Sequence, residues 1–480
     1  MSRRILGPFN RVEGDLEVIL DLDAGQQVAA ARVNSPLFRG FEQLLLGRAP
    51  LDALAIVPRI CGICSVSQSV AAASALAGAM DIRPTANGAR ATNLILAAEN
   101  LADHLSHFYL FFMPDFAHPA YAGRPWYEAT ASRFAALRGS AAGQALPARA
   151  GLLKLMGFLA GKWPHSLGLQ PGGTTRALGA SEKIRVLAQL RECRAFLETT
   201  LLGDRLEALA GLDSPAALAA WAAGRPGDFP AFLALAADLG LERTGRAYDR
   251  FLSHGAYPED GAPLFPAGFW QPDQGLTPLA PEQISEDSRH AWLVDEEGPL
   301  HPRNGLTRVE AEKEGAYSWC KAPRYAGQPL EVGALARQLV AGQPLLQELV
   351  RRQGASILAR VTARMLELAR VLPAMEGWAR ALEPGQAYCA PGTLPNEGQG
   401  AGLVEAARGS LGHWLEFRRG RISRYQVIAP TTWNFSPRDS RDQPGPLEKA
   451  LEGLPAGPEA PPLVQHVVRS FDPCMACTVH

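Results

Sequence analysis

The chain has 480 residues, 47% of them apolar and 20% charged, so it can bury a large core and global disorder is excluded. Lys plus Arg total 47 and Asp plus Glu 48, a net charge of −1 that argues against nucleic acid or an anionic membrane as partner. No apolar run reaches the roughly 18 residues of a membrane span, and Arg3-Arg4 is followed by Arg11, Glu13 and Asp15 in place of an export signal's apolar stretch. The expected location is therefore cytoplasmic.

Residues 1–35 read as a β-hairpin: Leu16, Val18 and Leu20 alternate with neighbours that are mostly charged, Ala24-Gly25 offers a turn, and Val28 to Val33 follows. Residues 36–383 read as a helical core. Asn87 to Met113 is helical and strongly apolar up to Pro114. Ser181 to Leu202 is a second helix with a Ser cap, and Ser214-Pro215 opens a third. Glu331 to Arg352 and Ala355 to Leu382 form a helical pair parted by Gly354, with Pro373 a candidate kink. In the C-terminal region, 384–480, Ile422 to Ile428 is a strand ending at Pro430. Stretches 224–230, 256–281, 384–402 and 440–463 are rich in Pro and Gly and read as loops. The expected fold is mainly α with small mixed β-sheets, an α+β unit spanning 1–480 around a central helical bundle.

Four of the seven cysteines fall into two Cys-x-x-Cys pairs, Cys61/Cys64 and Cys474/Cys477, at opposite ends of the chain. Two thiols three residues apart can converge on one soft metal ion. Three readings stand at this point: a zinc site, two unrelated redox or buried pairs, and a four-thiolate site holding a redox metal. Cys193, Cys320 and Cys389 are isolated and read as buried fillers. Gly398, Gly400 and Gly402 read as a flexible turn, because no strand precedes them and no acidic partner is placed as a dinucleotide site requires.

Six motifs in order resemble the large subunit of nickel–iron hydrogenases. They are Arg11-Val12-Glu13-Gly14, Phe38-Arg39-Gly40-Phe41-Glu42, Arg59-Ile60-Cys61-Gly62-Ile63-Cys64, Asp103-His104, Glu405 through Arg408-Gly409 to His413-Trp414, and Asp472-Pro473-Cys474 through Cys477 to His480. Ala429-Pro430-Thr431-Thr432-Trp433-Asn434 adds a seventh. The resemblance covers essentially the whole chain. It implies that Cys61 and Cys474 bind nickel terminally, and that Cys64 and Cys477 bridge nickel to an iron carrying CO and two cyanides. It further implies that Arg408, held by Asp103 and Asp472, sits over the open metal position. Taken alone, Arg408 and Asp103 read as ordinary helix-face ion-pair residues and Glu13 as a hairpin surface residue.

By the same resemblance Glu13 is a proton relay beside Cys474, and Thr431 with the backbone near Pro430 receives a cyanide. Glu42 and His480 hold a Mg2+ ion that pins the C-terminus, and His165 lies near the electron exit. The three remaining cysteines are too few for an iron–sulfur cluster, so electrons from H2 require a cluster-bearing small subunit.

Three departures from the family pattern narrow the expectation. Gln68 stands where a His is usual, Asp15 likewise, and the chain stops at His480 without the usual processed extension. Gln68 and that ending resemble the regulatory, H2-sensing subgroup, which signals to a histidine kinase. The expected role is an H2 sensor of low turnover, and the alternative is an energy-yielding uptake hydrogenase. A related subunit that has lost its metal centre is disfavoured, because all four cysteines are present.

Overall fold

A computed structural model describes residues 2–259, 262–457 and 462–480. The N-terminal hairpin is present as β2 (Glu17–Leu22) and β3 (Val28–Asn34). Its turn is held by Asp23, whose Oδ1 accepts from Gly25 N at 2.8 Å and Gln27 N at 3.0 Å. A further strand, β1 (Ser2–Leu6), pairs antiparallel with β2, so the expected hairpin is a three-stranded sheet. Leu16, Val18 and Leu20 point inward as the alternation requires.

The central bundle is built from α2 (Ala86–Ser106), α3 (Ala141–Ala160), α4 (Ala180–Phe196) and α7 (Ile357–Ala381). Ahead of it, α1 (Ser65–Ala79) starts directly after Cys64. Thr85 caps α2 by accepting from Gly88 N at 3.0 Å. The predicted helix to Met113 loosens after Ser106 into a π turn, His107–Phe112, whose His107 and Phe112 rings are buried and stacked at 5.5 Å. Ser181 is not a cap: α4 begins at Ala180, and Glu182 reaches back to accept from Gly179 N at 3.0 Å. Ser214 does cap, accepting from Ala217 N at 3.3 Å.

The Glu331–Arg352 segment is two helices, α5 (Ala334–Val340) and α6 (Pro344–Gln353). Pro344 has no N–H with which to continue the first, and Gly342 turns the chain at φ +76°. Glu331 itself is extended and pairs with Arg360 at 2.7 Å. α7 is capped by Ser356 and runs through Pro373.

Two predicted loops are sheet. Residues 256–281 contribute to β4 (Phe251–Glu259), β5 (Ala262–Gln271) and β6 (Gly275–Thr277). Pro258 lies opposite Pro263 beside the turn, where missing donors cost least. The glycine-rich stretch is not a flexible turn but the start of β7 (Gly398–Ala406), which forms an antiparallel meander with β8 (Gly409–Arg418) and β9 (Arg421–Ile428). Two of its glycines are there for clearance against α1: a Cβ on Gly400 would lie 1.9 Å from the carbonyl oxygen of Ala75, and one on Gly402 1.9 Å from that of Ala71. Stretch 224–230 gives way to a helix at Asp228, and 440–463 contains the helix Pro446–Leu451, while 458–461 lie outside the described residues. The chain closes with α8 (Leu463–Ser470) and α9 (Met475–Thr478). One apolar cluster extends from Leu16 to Cys477. No described helix is long and apolar enough to cross a membrane.

Since α1 carries Cys64 at its start, the close β7–α1 contact bears on the thiols. Gly402→Ala should lower unfolding stability by about 1–3 kcal/mol, the usual cost of overpacking. Gly157→Ala, in α3 where a Cβ meets nothing within 4 Å, should leave the thermal midpoint unchanged or raise it. Thermal denaturation of both variants checks the contrast.

Candidate metal centre

Three of the thiols are placed by short loops at a helix start, and Cys477 lies in the first turn of a helix. Cys61 and Cys64 lie on the loop that runs into α1. The α1 N-terminus is anchored by buried Glu99 on α2, whose carboxylate accepts from Val66 N, Ser67 N and Ser67 Oγ, each at 2.9 Å. Burial pushes Glu99 up to about 7 despite these donors. Cys474 is the residue before α9 and Cys477 lies within it. That stretch is stitched to the N-terminal segment: Met475 N donates to Glu13 O at 2.7 Å, and Glu13 forms a parallel bridge with Cys474.

The four Sγ atoms are all buried and lie within 4.8 Å of one another. Cys61 and Cys474 are 3.4 Å apart, Cys64 and Cys477 2.9 Å, Cys474 and Cys477 3.0 Å. Hydrogen bonds from its neighbours, Cys474 first, pull the Cys61 thiol well below its usual range. The same bonds together with burial raise Cys64, and burial first raises Cys474 and Cys477. Four thiols at this spacing share protons that a soft metal would displace. Among the described residues this is the one group of three or more His, Cys, Asp or Glu with converging ligand atoms.

A small cavity over the thiols is bounded by Arg408, Gln68, Ser67, Leu411, Pro430 and Thr431. Arg408 comes from the tight link between β7 and β8. Gly409 turns that link at φ +130°, where a Cβ would lie 2.6 Å from Gly333 N. The guanidinium donates to Asp472 O at 3.0 Å and to Asp472 Oδ1 at 3.1 Å, and lies 3.0 Å from Asp103 Oδ1. Burial opposes its charge, but Asp103 and Asp472 overcome that and hold it firmly protonated. The two carboxylates split: burial raises Asp103 well up, while Asp472, though also desolvated, is held by Arg408 at about 2. Both Asp103 oxygens and Asp472 Oδ2 lack an in-line hydrogen-bond donor. Four buried soft thiols that converge within 4.8 Å fit a thiophilic metal centre.

The other sequence-predicted residues also gather here. Glu13 is half-buried, and burial, then the charge at Cys61, raise its carboxyl above the usual value. Thr431 Oγ1 accepts from Cys474 N at 3.1 Å, so it positions that loop directly. Gln68 points its amide nitrogen at Cys477 Sγ, 4.0 Å away. His480 Nδ1 meets Cys477 O at 2.8 Å and its Nε2 meets Glu42 Oε1 at 3.2 Å. Burial alone would raise Glu42, but Lys321, His480 and Thr307 bring it down to about 2. His165 lies beside the first Cys-x-x-Cys loop, its Nδ1 at 2.9 Å from Pro58 O. Cys193 and Cys320 are buried as expected, whereas Cys389 is partly exposed.

Sequence reasoning missed the residues that hold these together. Arg39 donates to Ile60 O at 2.5 Å and also to Ala476 O, clamping the two thiol loops to each other. Lys321 is largely buried between Glu286 at 3.4 Å and Glu42 at 3.9 Å. Arg39 stands inside a quoted motif and was legible there. Lys321 and Glu99 carry no local signal.

A family model described as nickel-dependent hydrogenase matches residues 39–132 and 118–480. The chain belongs to the nickel-dependent hydrogenase family. The large subunit of a periplasmic [NiFeSe] hydrogenase of Desulfomicrobium baculatum is 30% identical, over 99% of this chain and 94% of its own length. The hydrogenase-2 large chain of Escherichia coli K12 is 29% identical over 100% and 97%, and the uptake hydrogenase large subunit of Rubrivivax gelatinosus 27% over 100% and 95%. The reduced Ni-Fe-Se hydrogenase of D. vulgaris Hildenborough superposes over 100% of both chains with a TM-score of 0.86 at 28% identity. The α+β hydrogenase large-subunit fold is thereby established. Where those relatives' names include selenium, this chain has cysteine at all four thiol positions.

Cys477→Ser replaces one of the four soft ligands by a hydroxyl that stays protonated. Nickel per chain, measured after co-expression with the maturation proteins, should fall to background.

Proposed function

We propose that this chain is the active-site subunit of an uptake-type nickel–iron hydrogenase that oxidises H2. The observation that carries the reading is four mutually close buried thiols under a guanidinium fixed by two carboxylates. Cys61, Cys64, Cys474 and Cys477 would together hold the nickel–iron centre. When bound, a nickel–iron centre with CO and cyanide ligands supplies the Lewis-acid and redox chemistry for heterolytic H2 cleavage.

The protein's part is charge placement and proton handling. Arg408 keeps a fixed positive charge over the small cavity, where the low dielectric strengthens its effect on developing charge. Asp103 and Asp472 hold its planar fork, so the charge needs no reorganisation. Glu13, raised by partial burial and tied through its backbone to the Cys474 loop, takes up the released proton and passes it on. Pro430 and Thr431 line the cavity, and the backbone there and the Thr431 hydroxyl would receive a cyanide. Glu42 and His480 supply an oxygen and a nitrogen for a Mg2+ ion, with Glu286 close by and Lys321 already balancing part of the acidic charge.

Cys193, Cys320 and Cys389 lie apart, and no second ligand cluster occurs among the described residues. Electrons therefore need a partner, for which we propose an iron–sulfur small subunit.

The uptake reading is preferred to the expected sensor. The sensor expectation rested on Gln68 and the position of the last residue. The relatives reported above, matched over 94–97% of their own length, are named as periplasmic, hydrogenase-2 and uptake enzymes. Deleting the gene should abolish H2-dependent growth while other hydrogenase expression persists. Lost expression with unimpaired growth would restore the sensor reading.

Infrared spectra of the holoenzyme should show metal-bound CO and cyanide bands that shift from argon to H2, and their absence would overturn the centre. Arg408→Lys should keep these bands and the nickel content yet lower H2 oxidation by about 100-fold or more, because a flexible ammonium loses the fork.

A further inference from the structure

A three-member hydrogen-bond chain leads away from the Cys477 sulfur. Gln68, in the first turn of α1, has Nε2 at 4.0 Å from Cys477 Sγ. Its Oε1 lies 2.7 Å from His413 Nε2 on β8. His413 Nδ1 lies 2.7 Å from Tyr425 Oη on β9. All three side chains are buried, and the His413 and Tyr425 rings meet edge to face with centroids 5.6 Å apart.

The direction of this chain follows from its outer end. The Tyr425 hydroxyl is a donor, and among the described residues its one hydrogen-bond partner is His413 Nδ1. A buried phenol that donates nowhere forfeits a hydrogen bond, so Tyr425 donates to Nδ1. Burial pushes His413 down to about 3, so the imidazole is neutral and carries one proton. With Nδ1 accepting, that proton is on Nε2, which donates to Gln68 Oε1. The amide is then committed: its NH2 faces the sulfur. Flipping Gln68 would set Oε1 against the electron-rich sulfur and NH2 against an N–H, two mismatches at once.

We propose that Tyr425 and His413 are positioning residues that fix Gln68 as a hydrogen-bond donor to the Cys477 sulfur. Neither touches a thiol, yet together they decide whether this sulfur receives a hydrogen bond. The inference rests on the metal-centre reading above. A hydrogen bond to a metal-bound sulfur withdraws electron density and raises the reduction potential of the centre. Because an amide does not titrate, this donor is present at every working pH.

The test uses the matured holoenzyme with its small subunit, nickel content measured alongside. Gln68→Leu removes the donor. Tyr425→Phe keeps the edge-to-face ring but frees His413 to move its proton to Nδ1 and Gln68 to flip. Both should retain nickel, move the infrared CO and cyanide bands to lower frequency, and make the midpoint potential of the centre more negative. A packing role alone would leave both readouts unchanged in Tyr425→Phe. Should that variant not load nickel, His413→Asn cuts the chain at its middle and carries the same expectation. Unmoved bands in a nickel-loaded Gln68→Leu or Tyr425→Phe overturn the proposal. Absence of any bands from the wild-type protein would overturn the metal-centre reading itself.

Discussion

The site depends on joining the two ends of the chain, and a buried carboxylate does much of that work. Asp115 lies in the turn just after α2 and its π extension. It accepts from Arg469 Nη1 at 2.7 and 2.8 Å, faces His466 at 3.2 Å, and pairs with Arg11. Arg469 and His466 belong to α8, and Arg11 to the N-terminal segment. Arg469 also reaches Asn10 O at 2.9 Å and Asn10 Oδ1 at 2.7 Å. One charge therefore ties the first residues, the last helix and the central bundle together. Leaving such a charge without partners costs on the order of 3–5 kcal/mol, so the three segments are set relative to one another before any metal is considered.

From that anchor the thiols follow in short steps. The N-terminal segment continues two residues to Glu13, which bridges Cys474. α8 continues into Asp472 in a left-handed conformation, φ 58°, which turns the chain toward Arg408 and into the second thiol loop. Arg39 then clamps that loop to the first one. Four soft ligands from opposite ends of the sequence are thus held by backbone carbonyls and fixed cations, not only by the metal they are shaped for. This is preorganisation in the usual sense: the ordering is completed by the fold and not charged against metal binding.

The extent to which this was legible in the sequence follows from the range of the interactions. The thiols, Arg408, Asp103, Asp472, Glu13 and Glu42 stood inside short motifs and converge in space. α2, the Ser214 cap and the β2–β3 hairpin followed from local periodicity and capping. The failures have physical causes. Gly398, Gly400 and Gly402 resemble a flexible turn when read locally, but Gly400 and Gly402 are required by the close approach of α1, and Gly398 by the Phe417 ring on β8, both distant segments. β4 and β5 were hidden by prolines that sit opposite each other beside the turn. Glu99, Asp115 and Lys321 owe their roles to partners far along the chain, and no spacing rule reports that.

The same distant pairing explains why so much charge is buried around a mostly apolar core. Arg337 on α5 is fully buried between Glu367 on α7 at 2.8 Å and Glu405 on β7 at 2.7 Å, and His104 on α2 faces Glu367 at 3.2 Å. Such ion pairs add little net stability over well-packed apolar side chains, because desolvation offsets most of the attraction. They do impose one geometry. Glu405 accepts from Ser410 Oγ at 2.5 Å across the link that carries Arg408, while Arg337 also donates to the carbonyls of Ala406 and Ala407 at 2.8 and 3.0 Å. The backbone that presents Arg408 to the cavity is therefore held from beneath by fixed donors. A guanidinium used to stabilise charge gains from being immobile, since reorienting it during reaction would consume part of the stabilisation it offers. The buried network is best understood as the foundation of that one side chain: its net contribution to folding is small, and its contribution to where Arg408 points is large.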